Sequence, residues 1–331
     1  FGLRPRSMTP RERVMAALRH ERPDRVPRFE VWIDALYDEL GLSDPYSAYA
    51  ELGQDGILTP SQGPAGSNAW KDGTDEWGRV WKNGMYSHGV VDTTDDLVRY
   101  CTAPDYADQF FKPAAVQAVR SRFPDHCHFF GTHIGPFMNS YMAMGLDSFC
   151  MRIATDPPFI HALMESRTEW AIAVFSRAVE MGAELIVMGD DAAHGGGPIV
   201  SPEMWREHVL PYHRRIVERL GVPVIWHSDG NIRKLLPMAL EAGFTGIHGL
   251  EPWSMSLAAI KAEFGDSMVL IGNADTRLLC GPDLDAVRRE KRRCLDEGGI
   301  GAYMLSTCNS IFPGMDPEAV REFFRATPGS P

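Results

Sequence analysis

The stretch Pro223-Val224-Ile225-Trp226-His227-Ser228-Asp229-Gly230-Asn231 decides the fold of this chain. A short apolar run, typical of a strand buried on both faces, is followed directly by His227, Ser228 and Asp229 and then by a Gly-Asn turn. A buried strand does not need an imidazole and a carboxylate at its end in order to fold. These polar residues therefore indicate a functional site, and the same pattern recurs along the chain.

Strand and helix patterns alternate through the sequence. Eight short apolar segments are expected to form strands: Val26–Trp32, Gly56–Thr59, His128–Thr132, Leu185–Met188, Val222–Trp226, Gly246–Leu250, Met268–Gly272 and Ala302–Ser306. Amphipathic segments of helix length lie between most of them, and the longest is Pro157–Met181. Strand–helix units in succession predict a parallel sheet, and eight of them predict an α/β fold of the (β/α)8 TIM-barrel type.

One segment departs from this alternation. Residues 61–127 are rich in Gly, Trp, Asp and Tyr, and residues 75–81 resemble one arm of a hairpin. We expect 61–127 to be an insertion after the second strand that covers the barrel mouth, within a single barrel domain over residues 8–331. Met8-Thr9-Pro10 resembles a native start, so residues 1–7 are expected to be an added remnant.

Composition and charge exclude several classes of protein. Hydrophobic residues make up 44% and charged residues 23% of the 331 residues, as in an ordinary soluble globular protein. The net charge of −11 argues against a nucleic-acid partner. No apolar run approaches the ~20 residues of a membrane span, so no membrane partner is expected. The six cysteines show no paired spacing, which favours a reducing cytoplasm. A homodimer is left open.

Polar residues follow at least six of the predicted strands. Since (β/α)8 enzymes build their sites at the carboxyl ends of several strands, these residues are expected to converge on one site. They are Glu30 and Trp32, His133, Asp190 and Asp191, His227 and Asp229, Glu251 and Trp253, Asn273 and Asp275, and Cys308 with Asn309.

A metal centre is the sharpest hypothesis for this site. His227 and Asp229 are two residues apart and can face the same side of the barrel mouth. Cys308 is a candidate third ligand, which leaves a position for substrate, as in catalytic zinc sites. Glu251, or one of Asp190 and Asp191, is an alternative to the thiolate.

The adjacent carboxylates suggest a second chemistry. Asp190 and Asp191 point to opposite sides of a strand, so only one is expected to face the cavity. A carboxylate held near Asp229 and Glu251 would have a raised pKa and could act as a general acid. The alternative is that one of the pair binds backbone amides and takes no part in chemistry.

At these residues the chain resembles the uroporphyrinogen decarboxylase superfamily, over nearly everything from Met8 to Phe324. The resemblance implies the (β/α)8 fold. It rests on the segments Thr9–Val14, Pro23–Pro27, Gly189–Asp191, Ile199–Glu203, His227–Asn231, Leu250–Pro252, Gly272–Asp275 and Asn309–Gly314.

Within that superfamily the chain resembles the corrinoid-dependent methyltransferases more than the true decarboxylases. The decarboxylases carry arginines after the first strand, where this chain has Phe29–Asp34 with two acids. Their Asp after the second strand is also missing. Several methyltransferases hold zinc through His-x-Cys and a later Cys. This chain keeps His227 but has Asp229 at the first Cys position, and Cys308 stands one residue before the usual late ligand, where Asn309 lies.

The resemblance implies methyl transfer from a small donor to the cobalt of a corrinoid carried by a partner protein. A methoxy-aromatic donor, as in an O-demethylase, is expected because Trp and Phe are plentiful near the mouth. The leaving oxygen would be activated by zinc or by an acid. The expected catalytic residues are Asp190, Asp191, His227, Asp229 and Glu251; the expected substrate-binding residues are Glu30, Trp32, His133, Trp253, Asn273 and Asn309.

Two other functions remain open. The same strand ends would serve a decarboxylase, with or without a metal, that acts on another carboxylic acid. A non-catalytic binding protein is the third possibility.

Overall fold

The structure is a computed structural model that describes residues 7–34, 36–61, 71–100 and 104–326. Residues 1–6 of the expected remnant, residues 62–70 and 101–103 of the expected insertion, and residues 35 and 327–331 lie outside the described residues. The strands are β1 (Gly56–Leu58), β2 (Gly73–Thr74), β3 (Arg79–Lys82), β4 (Met85–Gly89), β5 (Cys127–Thr132), β6 (Leu185–Gly189), β7 (Ala193–His194), β8 (Gly197–Pro198), β9 (Val224–His227), β10 (Gly246–His248), β11 (Val269–Ala274) and β12 (Tyr303–Thr307).

The α-helices are α1 (Pro10–Leu18), α2 (Leu36–Glu39), α3 (Pro45–Glu51), α4 (Thr94–Tyr100), α5 (Pro113–Arg122), α6 (Pro136–Met144), α7 (Leu146–Thr155), α8 (Pro157–Glu180), α9 (Pro202–His208), α10 (Leu210–Leu220), α11 (Leu236–Ala242), α12 (Leu257–Phe264), α13 (Leu284–Gly298) and α14 (Pro317–Phe324). Short 3-10 helices span Pro104–Phe110, Arg233–Leu235 and Thr276–Cys280. Many of the α-helices begin with a side-chain cap or a proline, such as the Thr9 capping box of α1.

Seven of the strands are parallel and form one sheet, in the order β1, β5, β6, β9, β10, β11 and β12, which is their order in the chain. They match seven of the eight predicted strands to within a few residues, and helices lie between most of them. The α/β class is as the sequence predicts, and the sheet is consistent with a TIM-barrel-like fold, with seven strands in the described chain where the sequence predicts eight.

The first predicted strand, Val26–Trp32, is not a regular strand. Arg28 within it forms an isolated parallel bridge to Leu305, and Ile33, the residue after it, forms another to Ile311. The physical reason is that side chains take its backbone donors. The Arg28 amide donates to the Asp55 carboxylate at 2.8 Å, and the Glu30 amide donates to the side chain of Gln54 at 2.8 Å. These amides are therefore not available to the ladder of a neighbouring strand.

The chain divides into two compact units. The terminal unit comprises Phe1–Leu58, Val119–Phe129 and Thr245–Pro331. In it, β11 lies between β10 and β12, with five residue pairs in register from Leu270↔Tyr303 to Ala274↔Thr307. The Phe29 amide donates to the carbonyl of Leu305 on β12 at 2.9 Å. The core therefore includes the segment that the sequence assigns to the first strand.

The central unit comprises Thr59–Ala118 and Phe130–Phe244. It pairs β6 with β9 in parallel, with Gly189 beside His227 at their carboxyl ends. On β9, Trp226 stacks between Trp205 and Phe244, at ring-centroid distances of 5.5 and 5.9 Å. Large aromatic side chains of this kind contribute much of a core's apolar burial.

The part of the insertion that the structure describes contains the expected hairpin. Strands β2, β3 and β4 form a three-stranded antiparallel sheet. Buried Arg79 holds it by pairing with Asp75 at 2.7 Å and by donating to Asn139 of α6 at 2.8 Å. That the insertion covers the barrel mouth stays a prediction.

Helix α8 is the longest helix of the described chain, with 24 residues. It contains a fully buried arginine, Arg167, whose guanidinium donates to the carbonyls of Tyr100 and Trp77 at 2.8 and 2.7 Å. None of the helices in the described ranges is both long enough and apolar enough to cross a membrane.

Glu30 joins the first segment to β12. Its carboxyl group is fully buried and accepts hydrogen bonds from the Ser306 hydroxyl at 3.1 Å and from the amide and hydroxyl of Thr307, both at 2.9 Å. Burial outweighs these bonds and raises the pKa of Glu30 to about 8, from an ordinary 4.5. The folded chain therefore holds a proton that the unfolded chain loses near pH 4.5.

We expect this proton to make stability depend on pH. Between about pH 4.5 and 8 the free energy of unfolding should fall as the pH rises, by up to about 1.4 kcal/mol per pH unit. Glu30→Gln removes this contribution, and Glu318→Gln, at an exposed glutamate, serves as the control. The measurement is urea denaturation at several pH values. If the free energy of unfolding changes with pH in the same way in the wild type and in Glu30→Gln, the expectation is wrong.

Candidate metal centre

The carboxyl ends of β6 and β9 lie side by side in the central unit and place four titratable residues there. Asp190 and Asp191 follow β6, whereas His227 ends β9 and Asp229 comes two residues later. The pairing of Gly189 with His227 is extended by the Asp190 amide, which donates to the His227 carbonyl at 2.9 Å. The two strand ends are therefore fixed relative to each other by backbone hydrogen bonds.

Asp190 points away from the cluster and into the fold. Its buried carboxylate accepts hydrogen bonds from the amides of Phe137 and Met138 at 3.2 and 2.6 Å, at the amino terminus of α6. It also bonds to Nε2 of buried His213, on α10, at 2.7 Å. A carboxylate there satisfies free helix amides and lies at the positive end of the helix dipole. Of the two adjacent aspartates, Asp190 is therefore the one that binds backbone amides, which is the alternative to a general-acid role.

Asp191 faces the opposite way and joins His227 and Asp229. The His227 Nε2 atom lies 3.9 Å from an Asp191 oxygen and 3.8 Å from an Asp229 oxygen. The Asp229 amide donates to Asp191 at 3.0 Å, which holds the two acids in place. One ligand atom from each residue lies within 4.8 Å of those from the other two, so all three can reach a single ion.

His133, after β5, lies against His227 and helps to keep it neutral. The two rings are perpendicular, with centroids 5.1 Å apart. Burial, and to a smaller extent the proximity of His133, lowers the pKa of His227 well below its ordinary value. A neutral imidazole is the form that binds a metal. At Gly189 a Cβ atom would lie 2.6 Å from the His133 ring, so the absence of a side chain allows this approach.

Tyr141 is a residue that the sequence reasoning missed. Burial and the charges of Asp191, Asp190 and Asp229 raise the pKa of its phenol, so it stays protonated. It lies in the second turn of α6, a helix that begins directly after a strand end. That position was the available signal, since residues early in such helices lie near the carboxyl ends of the strands.

The other eight residues that the sequence predicts at the site lie in the terminal unit. Their surroundings there differ: some are held by neighbouring side chains and one is exposed. They are Glu30, Trp32, Glu251, Trp253, Asn273, Asp275, Cys308 and Asn309.

Several of these side chains already have partners in the terminal unit. Buried Asn273 accepts from the Arg293 guanidinium at 2.9 Å, and Glu251 accepts from Ser254 at 3.0 Å. Trp32 packs edge-on against His248, with ring centroids 5.8 Å apart. Trp253 is 49% exposed, and the Arg277 guanidinium lies 4.4 Å from its ring centroid. Trp253 therefore presents an aromatic surface to solvent.

Cys308, predicted as a soft ligand, is buried beside Thr276. Its sulfur lies 3.9 Å from the Thr276 hydroxyl oxygen. Burial raises the pKa of the thiol to about 11, so the group is protonated at neutral pH in the absence of a metal. The candidate metal cluster contains Asp191 and not Cys308. Asp191 is one of the two adjacent carboxylates that the sequence offers as an alternative to the thiolate.

The residues present fit a divalent metal. One imidazole and two carboxylates are ligands that zinc accepts in catalytic sites, with a further position for water or substrate. The set is harder than a thiolate set and would also suit manganese or iron(II). In the described part of the chain this is the one group of three or more such side chains.

Comparison with known proteins identifies the family. The model of the uroporphyrinogen decarboxylase (URO-D) family matches residues 88–328, more than two thirds of the chain. The chain belongs to that family. This agrees with the superfamily resemblance seen in the sequence motifs.

Individual relatives of this URO-D family member include both a methyltransferase and decarboxylases. It is 24% identical over 221 residues to a methylated-thiol–coenzyme M methyltransferase of Methanosarcina mazei, covering 66% of the chain and 57% of that protein. It is 32% identical over 160 residues to a uroporphyrinogen decarboxylase of Syntrophotalea carbinolica, covering 47% of the chain and 44% of that protein. The chain thus spans about half the length of these curated relatives.

A solved structure shares the fold. A methyltransferase from Methanosarcina mazei superposes with a TM-score of 0.72 at 23% identity, and the match covers 96% of this chain and 97% of that one. At this identity the likeness concerns the fold, which is therefore shared over nearly the full length of both chains.

The two adjacent aspartates should differ sharply when each is changed to asparagine. Asp190→Asn places an amide donor against the donors of α6 or His213, and it removes one partner of a buried pair. We expect it to lower the free energy of unfolding by about 3 kcal/mol. Asp191→Asn, at a partly exposed side chain, should cost less than about 1 kcal/mol. Denaturant unfolding of both variants measures this, and equal losses would contradict the assignment.

Proposed function

We propose that this chain is a methyltransferase that moves a methyl group from a small methyl ether to the cobalt of a corrinoid carried by a partner protein. The observation that carries the proposal is the cluster of Asp191, His227 and Asp229 at the strand ends. The matches to a methyltransferase in sequence and in fold support it. The corrinoid and its carrier follow from the resemblance to the corrinoid-dependent branch of the superfamily.

The reaction sets a clear requirement for the site. Reduced cobalt is a strong nucleophile that attacks the methyl carbon, so the bond from that carbon to the donor oxygen breaks and its electrons stay on oxygen. The protein must therefore make this oxygen a better leaving group, with a Lewis acid or with a proton. When bound at the cluster, a divalent metal supplies Lewis acidity to that oxygen.

The ligand set favours an oxygen donor over a sulfur donor. The relative from Methanosarcina mazei is named for methylated thiols, in which the leaving atom is sulfur. Here two carboxylates accompany one imidazole, and such a hard set prefers to bind oxygen. A phenolate is a better leaving group than an alkoxide, so we infer a methoxy-aromatic donor of the O-demethylase type.

Several of the aromatic side chains that suggested a methoxy-aromatic donor are buried in the core. Trp77, Trp81, Trp226 and Phe137 are buried and pack against other residues of the central unit. They are core residues and do not support the choice of an aromatic donor. The inference rests on the leaving group and on the ligand set.

The residues of the central unit have different roles in the proposed reaction. Asp191, His227 and Asp229 would hold a metal, and His133 would orient the ring of His227. Asp190 positions α6 and therefore Tyr141, whose protonated phenol is suited to donate a hydrogen bond to the departing oxygen. Zinc is the metal that we propose first.

Substrate contacts in the terminal unit remain proposals. Trp32, Trp253 and Asn309 are kept as donor-binding residues, and Glu251 is kept as a catalytic acid. The contacts of Glu30 and Asn273 with Thr307 and Arg293 favour positioning roles over direct substrate contact. The free thiols of Cys127, Cys150, Cys280, Cys294 and Cys308 in the described chain support a reducing cytoplasm as the compartment.

The metal content of the purified protein tests the cluster. We expect about one divalent ion per chain after incubation with zinc and gel filtration, and a loss of at least about tenfold in affinity in His227→Ala and Asp229→Ala. His88→Ala, at an exposed histidine of β4, is the control and should bind as the wild type does. If both cluster variants retain the ion, the ligand assignment is wrong.

The reaction is tested by methylation of a cobalt(I) corrinoid, followed by its change in absorption. A panel of methoxyarenes and methyl thioethers is supplied, and we expect turnover with at least one methoxyarene and none with thioethers. Asp191→Asn should lower the rate by about 100-fold or more, because the leaving oxygen is no longer activated. Turnover of a methyl thioether, without turnover of any methoxyarene, would contradict the proposed class of methyl donor. Release of carbon dioxide from a carboxylic acid, without cobalt methylation, would favour the decarboxylase alternative.

A further inference from the structure

A cavity lies in the terminal unit, away from the strand tails. Its volume is about 320 Å³, near the lower end of the ~300–1,000 Å³ typical of small-molecule sites. Arg28 and Gly53, which line it, stand at the amino-terminal side of the first segment and of β1. The other lining residues come from the end of α3 and from α14 and the residues that follow it: Glu51, Leu52, Arg321, Phe324, Arg325 and Ala326.

The guanidinium of Arg28 lines this cavity without a hydrogen-bonded counter-ion, and the carboxylate of Asp55 acts on it only from a distance. Among the residues that the structure describes, it makes no hydrogen bond and no ion pair. The nearest candidate, Asp55, is already saturated. Its oxygens accept from Arg13 at 3.0 Å, from Arg25 at 2.7 and 2.8 Å, and from the backbone amide of Arg28 at 2.8 Å.

A second cation lies close to Arg28. Lys291 is largely buried, and its ammonium group donates to the carbonyl of Arg325. Burial and the charge of Arg28 lower the pKa of Lys291 to about 8, and burial and the charge of Arg25 lower the pKa of Arg28 to about 10. Like charges held together in a partly buried place cost free energy unless an anion joins them.

The remaining charged residues that line the cavity all have carboxylate or guanidinium partners. Arg321 lies 3.4 Å from Glu51, which offsets the one carboxylate among the lining residues. Arg325 is paired with Glu318 at 3.0 Å and with Glu322 at 2.9 Å. Among the described residues that line the cavity, the positive charge without a directly bonded carboxylate is therefore that of Arg28, and Lys291 lies close to it.

We propose that this cavity binds a tetrahedral oxyanion, either inorganic phosphate or the phosphate group of a small monoester, on the guanidinium of Arg28. The planar fork of an arginine matches two oxygens of such an anion, and a charge-assisted pair of this kind is stronger when water is partly excluded. The site is separate from the metal cluster and from the proposed methyl transfer.

The test is calorimetric titration of the full chain with inorganic phosphate and with glycerol 3-phosphate, near neutral pH and with chloride as the ionic-strength control. We expect saturable binding of at least one of them. Arg28→Met should weaken it by about tenfold or more, and Arg28→Lys, which keeps the charge but loses the fork, by a smaller factor. Arg289→Met, at an exposed arginine, should bind within about twofold of the wild type.

Folding of the variants does not obscure the result. Substitution at position 28 keeps both backbone hydrogen bonds to Asp55 and removes a partly buried charge that makes no direct ion pair, and burial and Arg25 disfavour this charge more than Asp55 favours it. The melting temperature of Arg28→Met without phosphate should therefore equal or exceed that of the wild type. If Arg28→Met does not fold, Arg28→Lys carries the comparison. Binding of phosphate alone or of the monoester alone supports the proposal and identifies the source of the anion. Absence of binding, or equal binding by Arg28→Met, overturns it.

Discussion

The buried carboxylate of Asp190 is the constraint on which the central unit depends. It binds the first free amides of α6 and the imidazole of His213 on α10, while its own carbonyl accepts from the indole of Trp226 on β9. Two strands and two helices therefore meet at one residue. A buried charge is tolerated only when it is fully hydrogen-bonded, so this arrangement admits little variation.

The candidate site follows from that constraint. Because Asp190 is turned inward, the next side chain along the strand, that of Asp191, must point to the other side, where it joins His227 and Asp229. The result is a centre of one imidazole and two carboxylates. Such a set is harder than one that contains thiolates, and a metal held by it would favour oxygen over sulfur as a further ligand.

The sequence predicts much of the fold and part of the site. Apolar runs that end in polar residues predict seven of the strands, because a strand buried on both faces needs only a run of apolar residues. The first segment does not form a regular strand because its backbone amides donate hydrogen bonds to the side chains of Asp55 and Gln54. Both partners lie far away along the chain, so the local sequence does not predict these hydrogen bonds. Pleating shows that Asp190 and Asp191 point apart, but the direction of each depends on where α6 begins. Tyr141 was missed because only the position of that helix brings it near the acids.

The glycines around the cluster have a consequence for protein engineering. A side chain at Gly135 would overlap the carboxyl group of Asp190, just as one at Gly189 would meet the ring of His133. Neither position can therefore accept a larger residue without displacing Asp190 or His133, which hold α6 and the ring of His227 in place. A laboratory that wished to reshape the site would have to keep both glycines and vary other residues.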